Sequence, residues 1–249
     1  MPDKDKDADE NLRQEFNRWV LNGRAAGMES RHLSIAEQTI RRMALKPGER
    51  VLDLGCGTGW ATRMVARLVA EGPVGFGQVI GLDISDEMIA LAREASREFD
   101  NILFVWSAAE KIPWEENYFD KVLSIEAFYY YPDQERVLAE MFRVMAPKAR
   151  LYILINLYKE NPSSLRWVDK LGVPVQLRSE SEYREMLERH SFEEVEIHHV
   201  PDESPARDGY QGAGFDSAQQ LRDYQRFGAL LLIARKPDLL TPPSEIEID

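Results

Sequence analysis

The spacing of apolar residues predicts an alternation of strands and helices between residues 33 and 156. Apolar residues at intervals of three and four, such as Ala61, Val65 and Leu68, predict amphipathic helices. Nearly continuous apolar runs predict buried strands at residues 51–54, 78–83, 102–106, 121–125 and 150–156. Strands that are apolar throughout are typical of a parallel sheet covered by helices on both faces. The sequence therefore predicts an α/β fold.

The pattern changes after residue 156. Residues 157–178 contain two prolines and a glycine and show no clear period. Ser179 and Glu182 have the spacing of a capping box, which predicts a helix from there to His190. Two more strands are predicted at residues 194–200 and 228–234, and the long segment 202–226 separates them. Long irregular segments are usually lids, binding loops or disordered, so 157–178 and 202–226 are expected to be insertions.

Both ends of the chain are highly charged. The net charge is −12, of which residues 1–10 contribute −3 and residues 238–249 contribute −4. Both segments have few apolar residues to bury, so we expect disordered tails around a single domain over 11–237. The mildly acidic remainder disfavours a protein that coats nucleic acid or anionic membrane. Either a monomer or a homodimer is compatible with this composition.

The sequence shows neither a metal site nor a targeting segment. The single cysteine, Cys56, excludes an internal disulfide and a cysteine-rich zinc site. The first ten residues lack the apolar stretch of a signal peptide, and no apolar run is long enough to span a bilayer. We therefore expect a cytoplasmic protein without a membrane span or a bound metal.

The segment from Val51 to Trp60 carries the most information about chemistry. A predicted strand runs into three alternating glycines and a helix follows at once, which suits close approach of a ligand to the backbone. A dinucleotide motif would need glycine at position 60, where this chain has tryptophan. Asp53 opposes a pyrophosphate, whereas Asp83 at the end of the next strand can accept hydrogen bonds from ribose hydroxyls. These residues favour a nucleoside with a cationic arm.

The segment from Asp53 to Gly59 resembles motif I of the class I S-adenosylmethionine-dependent methyltransferases. Further segments resemble the family's motifs in the same order, namely 81–85, 109–113, 117–120, 131–133 and 143–147. The resemblance covers roughly residues 45–156 and is strongest to small-molecule enzymes of ubiquinone and menaquinone biosynthesis and to sterol and tocopherol methyltransferases. It implies a Rossmann-like, doubly wound seven-stranded sheet, mostly parallel with an antiparallel last strand. It also implies S-adenosyl-L-methionine as cofactor and S-adenosyl-L-homocysteine as product.

The resemblance implies a set of cofactor-binding residues. Asp53 is expected to meet the cationic arm, the glycine loop the amino-acid portion, and Asp83 the ribose. The family's acid that meets the adenine amino group is missing, because Ser107, Ala108 and Ala109 replace its Gly-Asp-Ala; the Ala109 amide or Glu110 can take its place. With Asn22 and Arg24 of the N-terminal segment, the full expected set is Asp53, Gly55, Cys56, Gly57, Thr58, Gly59, Asp83, Ile84, Met88, Ala109, Glu110 and Ile125.

Two segments are candidates for the substrate side of the site. Glu126 follows the fourth strand and either takes a proton, stabilises a cationic intermediate or caps the next turn. Tyr129 and Tyr130 either contact substrate and sulfonium or only pack. The N-terminal segment 11–32 is expected to close the cofactor cleft as a lid, with Asn22 and Arg24 near the cofactor; a simple packing helix is the alternative.

The sequence therefore predicts methyl transfer to a small molecule. Trp167, Tyr210 and Phe215 in the two insertions favour an apolar or aromatic substrate. A methyltransferase acting on protein or RNA and a non-catalytic S-adenosylmethionine-binding module remain as alternatives. Trp60 and Asp53 argue against an NAD-linked oxidoreductase.

Overall fold

The computed structural model describes residues 4–70, 76–205 and 215–238. A seven-stranded sheet forms its centre, in the order β3-β2-β1-β4-β5-β7-β6. The strands are β1 (Arg50–Leu54), β2 (Gln78–Asp83), β3 (Ile102–Trp106), β4 (Phe119–Ile125), β5 (Met145–Ile155), β6 (Glu193–Val200) and β7 (Ala229–Arg235). Each predicted strand is present.

One strand of the sheet runs against the others. The pairs from β3 through β2, β1 and β4 to β5 are parallel, and β7 is antiparallel to both β5 and β6. The prediction of a doubly wound, mostly parallel sheet with an antiparallel last strand is thus confirmed. From β1 the chain continues to β2 and β3 on one side of the sheet, and from β4 it continues to β5 on the other side. Such a reversal opens a crevice at the carboxyl ends of the strands.

Helices cover both faces of the sheet. They are α1 (Lys4–Leu21), α2 (Met28–Arg42), α3 (Trp60–Val69), α4 (Asp86–Ala95), α5 (Gln134–Val144), α6 (Pro162–Leu165), α7 (Glu180–Arg189) and α8 (Ala218–Phe227). The apolar stripes of α2 and α3 enter one buried cluster, and those of α5 and α7 enter another. The Ser179 capping box opens α7 as predicted. No helix in the described ranges is long and apolar enough to cross a bilayer.

The N-terminal helix corrects the boundary expected for the first tail. Helix α1 begins at Lys4, whereas residues 1–10 are predicted to be disordered. Arg13 explains the extension, because its guanidinium pairs with Glu10 one turn earlier and with Asp86 of α4, both at 2.8 Å. Leu12 and Trp19 are buried on the same helix. The tail predicted at 238–249 lies outside the described residues after Asp238.

The two insertions contain regular structure that their irregular pattern conceals. Segment 157–178 holds α6 and a 3₁₀ turn at Val168–Lys170. Segment 202–226 holds most of α8, which Ser217 caps by accepting the Gln220 N–H. The sequence analysis misses α8 because glycines precede it and its apolar stripe is short.

Candidate active site

A cavity of about 640 Å³ lies at the carboxyl ends of the strands, where the direction of winding reverses. Most of the predicted residues line it, namely Arg24, Gly55, Gly57, Asp83, Ile84, Met88, Ala109, Glu110, Ile125, Glu126, Tyr129 and Tyr130. A recess of about 20 Å³ adjoins the cavity and adds Asp53 and Cys56 to this set. The recess and the cavity share Gly55, Gly57 and Glu126, so the two spaces meet beside the glycine loop.

The glycine loop is held against β2 and presents one face to the cavity. The backbone N–H groups of Gly55 and Cys56 donate to the carbonyl of Leu82 at 2.8 and 3.0 Å. A Cβ atom on Gly55 would lie 2.3 Å from the Ala127 Cβ. At Gly57, where φ is +52°, a Cβ would meet no described atom within 4 Å. Gly57 therefore faces open space, as close approach of a ligand requires.

Asp83 anchors the loop with the carboxylate that is predicted to bind ribose. Its Oδ2 accepts the N–H of Gly57 at 2.8 Å, and its Oδ1 accepts the N–H of Ser85 at 2.8 Å. Burial raises the Asp83 pKa to about 6 against the effect of these hydrogen bonds. Each carboxylate oxygen has a further lone pair for a hydroxyl donor. The two oxygens therefore fit the two hydroxyls of a ribose.

Asp53 supplies negative charge at the recess. Its side chain is 1% exposed, and its Oδ2 accepts the Thr62 hydroxyl at 2.6 Å. Burial raises the Asp53 pKa to about 7, because the charged form is poorly solvated there. A cationic group in the recess would stabilise the carboxylate, so the residue fits an ammonium-bearing ligand.

Glu110 carries an unsatisfied acceptor into the same cavity. Among the described residues its Oε1 has no hydrogen-bond partner although the atom is buried. Burial also raises the Glu110 pKa to about 7. A buried acceptor without a partner costs about 1–3 kcal/mol. An amino group such as that of adenine would satisfy it, which fits the role left open by the missing family acid.

Glu126 lies where the cavity and the recess meet. Its Oε1 accepts the backbone N–H of Asn156 at 2.6 Å, and its Oε2 accepts the Tyr129 hydroxyl at 3.1 Å. The residue is buried, and desolvation raises its pKa to about 7. The His32 Nε2 lies 3.6 Å from the Oε2 of Glu126. A carboxyl that titrates near neutral pH suits proton transfer.

Helix α1 and the turn after it form an aromatic wall of the cavity. The Phe16 and Tyr130 rings meet edge to face with centroids 5.0 Å apart. The Arg24 guanidinium lies 3.6 Å above the Trp19 ring and lines the cavity. Asn22 is exposed in the turn, donates its N–H to the Arg18 carbonyl and does not line the cavity. The structure thus brings Arg24 to the site but not Asn22.

Thr58 and Gly59 shape the loop without lining the cavity. The Thr58 carbonyl accepts a hydrogen bond from Arg63 at 3.0 Å. Gly59 is the N-cap of α3, and a Cβ there would lie 2.6 Å from the Phe104 ring. These two residues therefore support the loop from behind.

The insertions supply the far wall of the cavity. Trp167 and Phe215, predicted for this role, both line it, with ring centroids 5.4 Å apart. Tyr210 lies outside the described residues. Tyr224 completes the cluster at 5.1 Å from each of the other two rings. The sequence analysis misses Tyr224, which the Ser217 cap and the spacing from Leu221 would have placed on the inner face of α8.

The described residues contain no group of three or more His, Cys, Asp or Glu side chains arranged to hold a metal ion.

Residues 45–190, more than half of the chain, match the model of a methyltransferase domain. The chain belongs to this methyltransferase family. The predicted class I S-adenosylmethionine-dependent methyltransferase is thereby confirmed, with S-adenosylmethionine as the cofactor of the family. The carboxylates of Asp53, Asp83 and Glu110 and the glycine loop fit that cofactor.

Named relatives agree with this family. The ubiquinone/menaquinone biosynthesis C-methyltransferase of Vibrio cholerae is 36% identical over 119 residues, which cover 47% of this chain and 44% of that protein. The matched stretch thus spans less than half the length of that relative.

Solved structures extend the similarity over most of the chain. A chain in the complex between the Haloferax volcanii Trm112 methyltransferase activator and a methyltransferase is 30% identical, with a TM-score of 0.81; the match covers 89% of this chain and 97% of that one. An S-adenosylmethionine-dependent methyltransferase from Aquifex aeolicus shares the fold at 21% identity and a TM-score of 0.59, over 82% of this chain and 92% of that one.

Proposed function

We propose that this methyltransferase transfers a methyl group from S-adenosylmethionine to a small apolar or aromatic molecule bound beside Glu126. The aromatic cavity carries the proposal. Its volume of about 640 Å³ falls in the range of small-molecule sites, and its walls come from α1, the 3₁₀ turn at Phe128–Tyr130 and the two insertions.

The residues divide the cavity into two parts. Asp53, the glycine loop, Asp83 and Glu110 would hold the cofactor, because their donors and acceptors match its ammonium, ribose and adenine groups. Bound S-adenosylmethionine supplies a methyl group on a sulfonium, which is already activated for displacement. The chain's own task is to align the acceptor, exclude water and receive any proton that the acceptor loses.

The substrate part is apolar with one acid. Trp167, Phe215 and Tyr224 form one wall, and Phe16, Trp19 and Tyr130 form the other. Glu126 lies at the floor beside Tyr129. This combination suits a flat aromatic acceptor, and similarity to a ubiquinone/menaquinone C-methyltransferase supports phenols and hydroquinones as the first acceptors to test.

Similarity to a chain solved with a protein activator favours a second candidate, methylation of a macromolecule by a complex of this chain with a partner. The two candidates differ in where the methyl group goes. The purified protein should be incubated with S-adenosylmethionine labelled in the methyl group, together with a cell extract separated into small-molecule, protein and RNA fractions.

We expect the label in the small-molecule fraction, and in methylated hydroquinone or catechol when these replace the extract. Asp83→Ala is the control, since it weakens cofactor binding in the same fold. Label in the protein or RNA fraction alone would contradict the proposal and support the second candidate. No transfer to any fraction, with intact cofactor binding, would support a non-catalytic binding module.

A further inference from the structure

His32 is placed to act on Glu126 from a different element of the fold. It lies on α2, and its Nε2 is 3.6 Å from the Glu126 Oε2. Both residues line the large cavity and the recess. If the ammonium group of the cofactor enters the recess beside Asp53, the pair lies beside the point where the methyl group enters the cavity.

Glu126 is held rigidly in this position. Its backbone has φ of +55°, an unfavourable conformation for a residue with a side chain. Its N–H donates to the Leu154 carbonyl at 2.8 Å, while the Asn156 N–H donates to its Oε1 at 2.6 Å. Strained residues of this kind persist where the surrounding structure enforces them, commonly at functional sites. In this position the Oε2 of Glu126 faces Tyr129 and His32.

The neutral His32 ring faces the Glu126 carboxylate as a second acceptor. The backbone of Met28 forms a hydrogen bond with the His32 ring, and burial holds the His32 pKa at about 4, so the ring is neutral. A neutral imidazole has one donor nitrogen and one acceptor nitrogen. With its donor used at the Met28 carbonyl, His32 presents an acceptor to Glu126. Two facing acceptors repel, so an ionised Glu126 is stabilised when a proton comes to lie between its Oε2 and the Nε2 of His32.

We propose that His32 is a positioning residue for Glu126, and that the pair receives the proton of an acceptor that is methylated at a hydroxyl or an activated C–H. This inference rests on the proposed function. The nucleophilic atom bonds to the methyl carbon while the electron pair of the broken carbon–sulfur bond stays on sulfur. The proton from the nucleophile goes to the Oε2 of Glu126, which then donates to the Nε2 of His32.

The distance between the His32 Nε2 and the Glu126 Oε2 is compatible with this role. A distance of 3.6 Å is longer than a formed hydrogen bond, and catalytic hydrogen bonds commonly shorten when substrate binds. Other titratable groups surround the pair. Asp53 of β1 lines the same recess. The others come from the 3₁₀ turn, α2, the second insertion and α8, and they are Tyr129, Tyr130, Arg31, Asp202 and Tyr224. The tyrosines are neutral near pH 7 because burial raises each pKa further.

Nuclear magnetic resonance of histidine tests the pair without any turnover. The chain has four histidines, so ¹⁵N-histidine labelling gives a simple spectrum, and His32→Phe assigns the resonances of interest. With S-adenosylhomocysteine bound, we expect the His32 ring to stay neutral well below pH 6.5, and its Nε2 resonance to move in Glu126→Gln. Titration of wild-type His32 near pH 6.5, with no response to Glu126→Gln, would overturn the proposal.

Turnover of chosen acceptors provides the second readout. Catechol and hydroquinone carry a removable proton, whereas dimethyl sulfide does not. We expect methylation of the first two only, and a kcat in His32→Phe lower by about 10-fold or more with little change in KM. His198→Phe is the matched control. The Nε2 of His198 also lies close to a carboxylate, 2.9 Å from the Oε2 of Glu196, but this pair lies on the exposed face of β6.

The pH profile distinguishes positioning from a structural effect. The acid limb of kcat/KM should move in His32→Phe and stay in place in His198→Phe. An unchanged kcat or an unchanged acid limb in His32→Phe would contradict the role of His32 while leaving the proposed methyl transfer intact. Absence of all turnover with the expected histidine spectrum would instead contradict the proposed function.

Discussion

The Oδ2 of Asp83 accepts the backbone N–H of Gly57 at 2.8 Å, which joins the end of β2 to the glycine loop after β1. The same carboxylate accepts the N–H of Ser85 at the start of α4. Asp83 therefore fixes two backbone segments at the cavity and also presents its remaining lone pairs to a ligand. The shape of the loop depends on this side chain, and we expect cofactor binding to depend on it as well.

Asp83→Ala tests this double role. The substitution removes the acceptor for the ribose and leaves two backbone N–H groups without their partner. We expect affinity for S-adenosylhomocysteine to fall by about 10- to 100-fold, since hydrogen bonds to a charged group contribute about 1.5–3 kcal/mol. Isothermal titration calorimetry measures the change. Asp100→Ala, at an exposed position after α4, is the control and should bind like the wild type.

Gly57→Ala and Gly59→Ala separate ligand contact from folding. Both glycines have positive φ, so each alanine costs about 1–2 kcal/mol of backbone strain. The new Cβ at position 57 points into open space, whereas at position 59 it would lie 2.6 Å from Phe104. We expect Gly57→Ala to lose cofactor affinity with a small fall in melting temperature.

Gly59→Ala should show the larger fall in melting temperature, because the clash with Phe104 adds the cost of overpacking. Melting curves with and without S-adenosylhomocysteine compare the two variants. Equal affinity of Gly57→Ala and wild type would show that the ligand does not approach this part of the loop.

The glycine loop and its surroundings show which features local sequence determines. The apolar runs and the alternating glycines predict β1, β2 and the position of Asp83, because short-range pattern and backbone geometry decide these features. Asn22 shows the limit, since the direction of an exposed turn depends on how α1 packs against α4. Tyr224 is missed because its helix follows a glycine-rich segment. The Ser217 cap and the spacing from Leu221 indicate the inner face of α8, but the contact of the Tyr224 ring with Trp167 depends on the tertiary fold.

The buried carboxylate of Asp53 predicts a pH dependence of stability. Its folded-state pKa of about 7 lies above the usual 3.8, so the folded protein retains a proton that the unfolded chain releases. The stabilising contribution is complete below about pH 4 and is lost as the pH rises to about 7. Between about pH 4 and pH 7, each unit of rising pH lowers the contribution of such a carboxylate to the free energy of unfolding by at most about 1.4 kcal/mol.

Asp53→Asn isolates this contribution. Asparagine still accepts the hydrogen bond from Thr62 but does not ionise. We therefore expect its melting temperature without ligand to fall less than that of the wild type between pH 5 and pH 7, and Asp100→Asn to follow the wild type. Parallel curves for Asp53→Asn and wild type would show that Asp53 is ionised throughout.

Trp167→Ala tests the aromatic wall of the substrate part. The ring packs against Phe215 and Tyr224. We expect KM for catechol or hydroquinone to rise about 10-fold, because aromatic contact area and ring pairing both contribute. Affinity for S-adenosylhomocysteine should not change. Phe76→Ala removes an exposed ring outside the cavity and should leave both quantities unchanged.

The melting temperature with S-adenosylhomocysteine, S-adenosylmethionine and NAD tests the central claim most directly. A ligand at about 100 times its dissociation constant adds about 2.7 kcal/mol of stability, which corresponds to about 5–10 °C for a domain of this size. We predict such a rise with both adenosyl compounds, no rise with NAD, and a much smaller rise in Asp83→Ala. A rise with NAD and none with either adenosyl compound would contradict the assignment of the cavity.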